Sequence, residues 1–317
     1  MKAFFRRIAP LRHLAGPLIL VLIIVRIDRA AILDALVHAR LWPVFAAGAV
    51  VLAAIPLRAL RWNALLARMD QVVGFREAFR LYASGTFAGT ATPGRVGEMY
   101  KAAPLIARGM PARRAIASVL LDRVFDVAVA AAAALLYAVA IMQGSVALAV
   151  VAGALAIAAI GFTAFLSRRE TALVARVRRA PPSAPVGHIR ATIEESLAAI
   201  AAPGALARVV LLTAVASACA WLANHLLVRS LGLALDPFET AGVSAAAGLA
   251  AMLPVSVLGV GTRDAALLLL LVRYGASPSD AVALSTLFLL LNVWTGLTCG
   301  LAAYLPAGGM IHEGRKP

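Results

Sequence analysis

Long apolar runs recur along the whole chain, at residues 14–33, 42–57, 81–92, 115–142, 146–166, 209–228, 241–253, 265–274 and 281–305. A helix needs about 20 residues to cross roughly 30 Å of hydrocarbon. Six of these runs are therefore expected to cross a membrane. The runs at 81–92, 241–253 and 265–274 are too short to cross alone. They flank the two glycine-rich charged stretches of the chain, and short or Gly/Pro-interrupted pieces at membrane depth predict re-entrant or broken helices. The pattern thus predicts an all-α polytopic membrane protein, with about six full spans plus two re-entrant or broken helical hairpins.

Lysine and arginine placement orients these spans. With the N-terminus inside, 23 basic residues fall on the cytoplasmic side and 6 outside, and Arg123 lies within a span. That bias agrees with the positive-inside rule and puts both chain ends in the cytoplasm. It assigns Arg58 and Arg61 to a cytoplasmic loop after the second run. The polar stretch 167–208 is expected to be a larger cytoplasmic loop, with a short amphipathic helix around 186–201. The N-terminal run reads as an uncleaved first helix, with Arg26, Asp28 and Arg29 snorkelling at its end.

Composition agrees. The chain has 317 residues, mean hydropathy +0.90 and 14% charged residues, against about 25% in a soluble domain. A net charge of +15 would suggest nucleic acid in a soluble protein; here it reads as basic loops facing anionic headgroups. Cys219 and Cys299 fall inside apolar runs and suggest no disulfide framework. The five histidines show no metal spacing. No phosphate-binding loop, dinucleotide fingerprint, nucleophile elbow or zinc-protease motif is present, so no cofactor and no catalytic residue is assigned.

The two interrupted regions resemble each other. Glu77 precedes Pro93 by 16 residues and Glu239 precedes Pro254 by 15. Basic and acidic residues follow, as Arg95 and Glu98 in the first copy and Arg263 and Asp264 in the second. Both acids stand 11 residues before a loop glycine, Gly109 or Gly275. With three spans between them, the copies form an inverted repeat, a transporter architecture. The chain then reads as one transmembrane domain over 1–317. Its first half, 14–166, holds repeat 1 at 75–142; its second half, 209–305, holds repeat 2 at 238–305. Half-helices ending at TPGRVGE and LGVGTRD would point toward each other. Their glycines, Gly97 and Gly261 among them, would let backbone approach an anion.

A second unusual stretch is LLDRVFD at 120–126. Asp122 and Asp126 are four apart and share a helix face, with Arg123 beside them and able to pair with Asp126 or Glu98. Charges within a span must face protein or water. Asn224, His225, Asn292, Trp294 and Thr298 are weaker signals, expected to bond neighbouring helices. Asp236 and Glu239 read as surface acids.

The ordered motifs P-x-R-x-G-E-x-x-K at 93–101, D-R-x-x-D at 122–126 and G-x-G-x-R-acid at 259–264 resemble the lysylphosphatidylglycerol synthase transmembrane (flippase-like) family. The resemblance runs from about 15 to 305. It implies a lipid-flipping domain in the bacterial inner membrane. It does not extend to the aminoacyl transferase domain that follows a comparable domain in multiprotein-resistance enzymes, so synthase activity is not expected. It carries the family's site onto Pro93, Arg95, Gly97, Glu98 and Lys101, onto Asp122, Arg123 and Asp126, and onto Arg263 and Asp264. Glutamate is usual at the last position, and Asp264 is shorter. The expected ligand is a phospholipid or polyisoprenyl-type lipid. Arg95, Lys101, Arg123 and Arg263 would engage its phosphate. Glu98, Asp122, Asp126 and Asp264 would orient those cations, or take a cationic headgroup or a proton. Two alternatives remain: a lipid-modifying transferase, and a non-catalytic partner of an envelope-lipid synthase docking through 167–208.

Overall fold

The computed structural model describes residues 29–141, 203–252 and 259–304. Every element among them is helical. In chain order they are α1 (Arg29–Val37), α2 (Leu41–Ala67), α3 (Phe75–Thr90), a 3-10 segment (Pro93–Ala102), α4 (Ala103–Ala107) and α5 (Ala112–Ile141). After the undescribed 142–202 come α6 (Pro203–Ser230), α7 (Pro237–Ala251), α8 (Thr262–Leu271), a 3-10 turn (Val272–Tyr274) and α9 (Pro278–Tyr304). The run at 146–166, the amphipathic helix around 186–201 and most of the run at 14–33 lie outside the described residues.

Among the described residues, three helices are long and apolar enough to cross a membrane: Leu41–Ala67, Gly204–Ser230 and Pro278–Tyr304. The 30 residues of α5 would reach roughly 45 Å at 1.5 Å per residue. Its first half carries Asp122, Arg123 and Asp126, which is why its hydropathy does not match its length.

One boundary differs from the sequence expectation in a way that matters. The apolar run at 42–57 stops at Pro56 and Arg58, yet α2 continues through both to Ala67. Proline costs one backbone hydrogen bond inside a helix. The helix persists because the residues beyond it, Trp62, Leu65 and Leu66, are fully buried. Arg58 and Arg61 are therefore helical residues inside the bundle, not loop residues. Arg208, assigned to the loop 167–208, likewise sits in the second turn of α6.

The helices pack in a reciprocal pattern. α2 lies against α6, antiparallel to it: the Arg40 amide donates to Ser230 O at one end, and Arg61 Nη1 donates to Thr213 Oγ1 toward the other. α5 lies on α7, with Tyr137 against Gly242 and Ala131, Ala134 and Leu249 in one apolar cluster. α9 lies on α3, where Gly296 meets Thr90 and Gly300 meets Phe87. Each helix that follows one interrupted stretch thus covers the helix that leads into the other. Two larger apolar clusters pack the bundle. One holds Trp62, Leu66, Tyr82, Leu105 and Ala115; the other holds Ala47, Tyr137, Leu227, Leu267 and Leu284. Lys101 lies against the first, over the Trp62 and Tyr82 rings.

Close helix approach depends on glycine at two of these crossings. A Cβ on Gly242 would run into the Tyr137 ring, and one on Gly296 into Thr90. Such overpacking costs about 1–3 kcal/mol. Gly242→Ala is therefore expected to lower the thermal unfolding midpoint in detergent, whereas Gly248→Ala, on the same helix with open space around it, leaves it near the wild-type value. Equal midpoints for the two variants would contradict this packing.

Candidate functional site

Asp122, on α5, is fully buried and ion-paired on both sides. Arg61 donates to it through Nε at 2.8 Å, with Nη2 at 2.7 Å. Lys101 Nζ donates to its other oxygen at 2.7 Å. One turn on, Asp126 Oδ1 accepts from Arg61 Nη1 at 2.6 Å. Arg61 Nη2 also reaches the Asp122 carbonyl at 3.1 Å. The i,i+4 spacing of the two acids lets one guanidinium bridge both. Lys101 is 1% exposed. Its ammonium lies 4.2 Å from the Tyr82 ring centroid and 5.0 Å from that of Trp62, a geometry that favours a cation. Trp62 is fixed by Nε1 donating to Ser118 Oγ at 3.2 Å.

The first interrupted stretch returns along α3 as a 3-10 segment. Thr92 Oγ1 holds this return by accepting from the Gly97 amide at 2.7 Å. A Cβ at Gly97 would collide with the Ala88 carbonyl. Gly97, expected to face the ligand, thus serves close backbone packing, and its N–H is already used. Glu98 is buried and ion-paired with Arg123, with Arg95 Nε 3.7 Å away. Arg123 Nη1 also lies 3.7 Å from Asp126, so it meets both carboxylates expected as partners. Arg95 adopts φ +57°, a conformation that L residues rarely hold.

On the second stretch, Arg263 and Asp264 open α8 and are both buried. Arg263 Nε donates to Ser285 Oγ at 2.9 Å and Nη2 to Ser285 O at 3.0 Å. The Ser285 hydroxyl donates to Asp264, whose other oxygen accepts from the Gly261 amide at 2.6 Å. Gly261 has φ +87°, which glycine tolerates without strain. Its N–H, expected to be free for an anion, is occupied by Asp264.

Two adjoining cavities lie between the stretches. One, of about 210 Å³, is lined by Arg95 from the first and Arg263 from the second, with Arg58, Arg123, Asp126 and Ser244. The other, of about 150 Å³, is lined by Arg58, Arg95 and Arg123 again, with Glu98, Tyr82 and Thr86. Asn224 and Asn292 border both. The expected residues therefore divide. Arg95, Glu98, Arg123, Asp126 and Arg263 face a cavity. Lys101 and Asp122 form a dry pair behind it, and Gly97, Gly261 and Asp264 hold the turns.

Arg58 and Arg61 escaped the sequence reading because Pro56 and two arginines look like the end of a span. The signal was available: two carboxylates inside an apolar helix need cations, and Arg58 and Arg61 sit three apart with apolar residues continuing after them. Of the weaker polar residues, Trp294 and His225 bond a neighbouring helix as expected, whereas Asn292 and Thr298 bond carbonyls of their own helix. Asn292 Nδ2 donates to Phe288 O at 2.8 Å, Trp294 Nε1 to Gly48 O at 3.3 Å, and His225 pairs with Thr240 at 3.0 Å. Asp236 and Glu239 form a capping box at the start of α7.

Breaking a buried ion pair by removing one partner costs about 3–5 kcal/mol. Arg61→Ala strips the bridge from Asp122 and Asp126, and is expected to lower the thermal unfolding midpoint sharply. Arg58→Ala, which removes a cavity-lining arginine, should leave it much closer to wild type. Equal midpoints for Arg61→Ala and wild type would contradict the bridging role.

No curated protein matches the chain. Buried charges bridged across helices, long apolar helices and the three ordered motifs agree with a family match over residues 13–300. The chain is a multi-pass membrane protein and belongs to the family described as "Lysylphosphatidylglycerol synthase TM region".

Proposed function

We propose that this protein binds the phosphate-bearing headgroup of a membrane lipid between two re-entrant helical hairpins and moves it between the leaflets of the bacterial inner membrane. One observation carries the reading. Two cavities share Arg58, Arg95 and Arg123, and each extends toward a different interrupted stretch, one past Glu98 and Thr86 and the other past Ser244 and Arg263. A headgroup held by the shared arginines could pass from one compartment to the other while its tail stays in lipid.

Charge supports an anionic ligand. Arg58, Arg61, Arg95, Lys101 and Arg123 are five cations, against three carboxylates, Glu98, Asp122 and Asp126, which leaves a surplus of two. Arg263 has its own acid in Asp264. A charged headgroup crossing hydrocarbon unaided faces a large desolvation cost, and a polar cavity at mid-bundle lowers it. The reciprocal antiparallel packing supports an inverted repeat, with α2, α3 and α5 matching α6, α7 and α9 about an axis in the membrane plane. In that arrangement the two hairpins enter from opposite faces.

Two measurements test this. In proteoliposomes carrying a fluorescent phospholipid, wild type is expected to expose the inner-leaflet label to an external quencher faster than empty vesicles do. Arg95→Ala should slow this about tenfold or more, as expected for losing a charge-assisted contact of about 1.5–3 kcal/mol, without a loss of thermal stability. Wild type no faster than empty vesicles would sink transport as the function. Separately, after replacement of Cys219 and Cys299, single cysteines at Val72 and Ser277 should be labelled from opposite faces of oriented membranes. Labelling from one face would overturn the opposed hairpins.

A further inference from the structure

We propose that a groove between α2 and α9 holds the hydrocarbon tail of a lipid whose polar end lies in the smaller arginine-lined cavity, with the tail running back along α2 toward Arg40; this rests on reading that cavity as a lipid site. The groove has a volume of about 430 Å³, and its walls include Val44, Phe45 and Leu52 of α2 and Leu290, Leu291 and Trp294 of α9. Small residues make it concave: Gly48 and Ala49 stand between Phe45 and Leu52, and a Cβ on Gly48 would press on the Trp294 indole at 3.3 Å. Of the ten residues lining it, only Trp294 carries a polar side-chain group, and its Nε1 already donates to Gly48 O at 3.3 Å. Water there finds no partners, so the walls favour hydrocarbon. Phe45, Leu290 and Trp294 are at least half exposed, so the groove opens sideways from the bundle.

Continuity with the 150 Å³ cavity decides what lies in it. Leu291 lines both spaces, and on α2 the wall passes from Val51 of the cavity to Leu52 of the groove. From Leu52 to Val44 the groove covers about 12 Å of helix at 1.5 Å per residue. It runs toward the end of the bundle where the Arg40 amide meets Ser230 O. At roughly 10–15 Å³ per water-sized position, it holds on the order of thirty, enough for the methylenes of an acyl chain. Position then gives the tail a direction that bulk lipid does not share. A lipid of the leaflet at the Arg40 end keeps its headgroup beside Arg40 and its tail terminus near the middle of α2. A lipid anchored in the cavity does the opposite. Its ester end lies at Leu52 and Leu291 and its terminus at Val44 and Phe45. That is the orientation of the other leaflet, displaced toward the Arg40 end, as for a lipid part-way across that has not yet turned over.

The test uses the full chain in proteoliposomes with two phospholipids, one carrying a diazirine near the ester and the other near the tail terminus, and maps the photo-adducts by mass spectrometry. The ester-proximal label is expected to favour Leu52 over Phe45 severalfold, and the terminal label to favour Phe45. The reverse order, which bulk lipid would give, overturns the proposal. So does labelling of the groove no stronger than that of Leu211, an exposed residue of α6 outside it. A photoreactive residue in place of Leu290 should capture lipid; capture of a second copy of the chain, or of residues 14–28, overturns it as well. Ala49→Trp fills the groove from an exposed position. It is expected to abolish the groove adducts and slow lipid exposure about tenfold, the effect of losing about two buried methylenes, at an unchanged unfolding midpoint. Leu211→Trp should leave both at wild-type values. Wild-type transport by Ala49→Trp would overturn the groove and leave lipid transport standing. Ordered adducts in a wild type that moves lipid no faster than empty vesicles would uphold the groove and sink only transport.

Discussion

Asp122 and Asp126 stand on one face of a helix in an otherwise apolar bundle, and the surrounding structure depends on neutralising them. An ionised carboxylate withdrawn from water is costly unless it is paired and hydrogen-bonded. Three separate segments supply that pairing. Arg61 comes from α2, Lys101 from the first interrupted stretch, and Thr213 from α6, where it orients Arg61. The same contacts that discharge the acids hold α2, α5, α6 and the 3-10 segment of the first interrupted stretch in register. Lys101 is useful here because its ammonium lies over the Tyr82 and Trp62 rings while reaching Asp122.

With the cage closed, other charges are left facing open space. Arg61 occupies Asp122 and one oxygen of Asp126, so Arg58, one turn earlier, lines the cavity instead. Glu98 holds Arg123 at the boundary between the two compartments. The second stretch is built differently: Arg263 and Asp264 are tied to Ser285 of α9 and to the Gly261 amide. One side of the cavity is therefore anchored through an ion-pair network and the other through a hydroxyl relay. Reciprocal helix packing brings both sides to the same place, and that convergence is the physical basis for treating the cavity as a binding site.

Much of this was legible along the chain. Apolar blocks and sparse charge announced membrane helices. The i,i+4 acids of LLDRVFD announced a buried charge site, and Glu98 emerged as a partner for Arg123 from the same reasoning. Helix ends were less legible. The run at 81–92 begins as a helix at Phe75, because the amphipathic turn FREAFR packs its apolar side on the bundle while Glu77 pairs with Arg108. Gly97 and Gly261 looked like anion-binding backbone, yet both amides are satisfied within the chain by Thr92 and Asp264. A glycine in a turn reports that backbone comes close to something, and the sequence does not say to what.

Local periodicity, hydropathy and motif order by themselves determined the class of protein, the approximate helices, the two interrupted stretches and most of the charged residues that matter. These are properties of short windows, set by how each stretch partitions between water and hydrocarbon. Tertiary structure decided which charges are spent on one another and which are left lining a cavity. Arg61 and Arg58 are three residues apart on one helix and chemically identical. Only the position of α5 and α6 makes the first a structural bridge and the second a wall of the cavity, because pairing in a low-dielectric interior depends on contacts between residues distant in the chain.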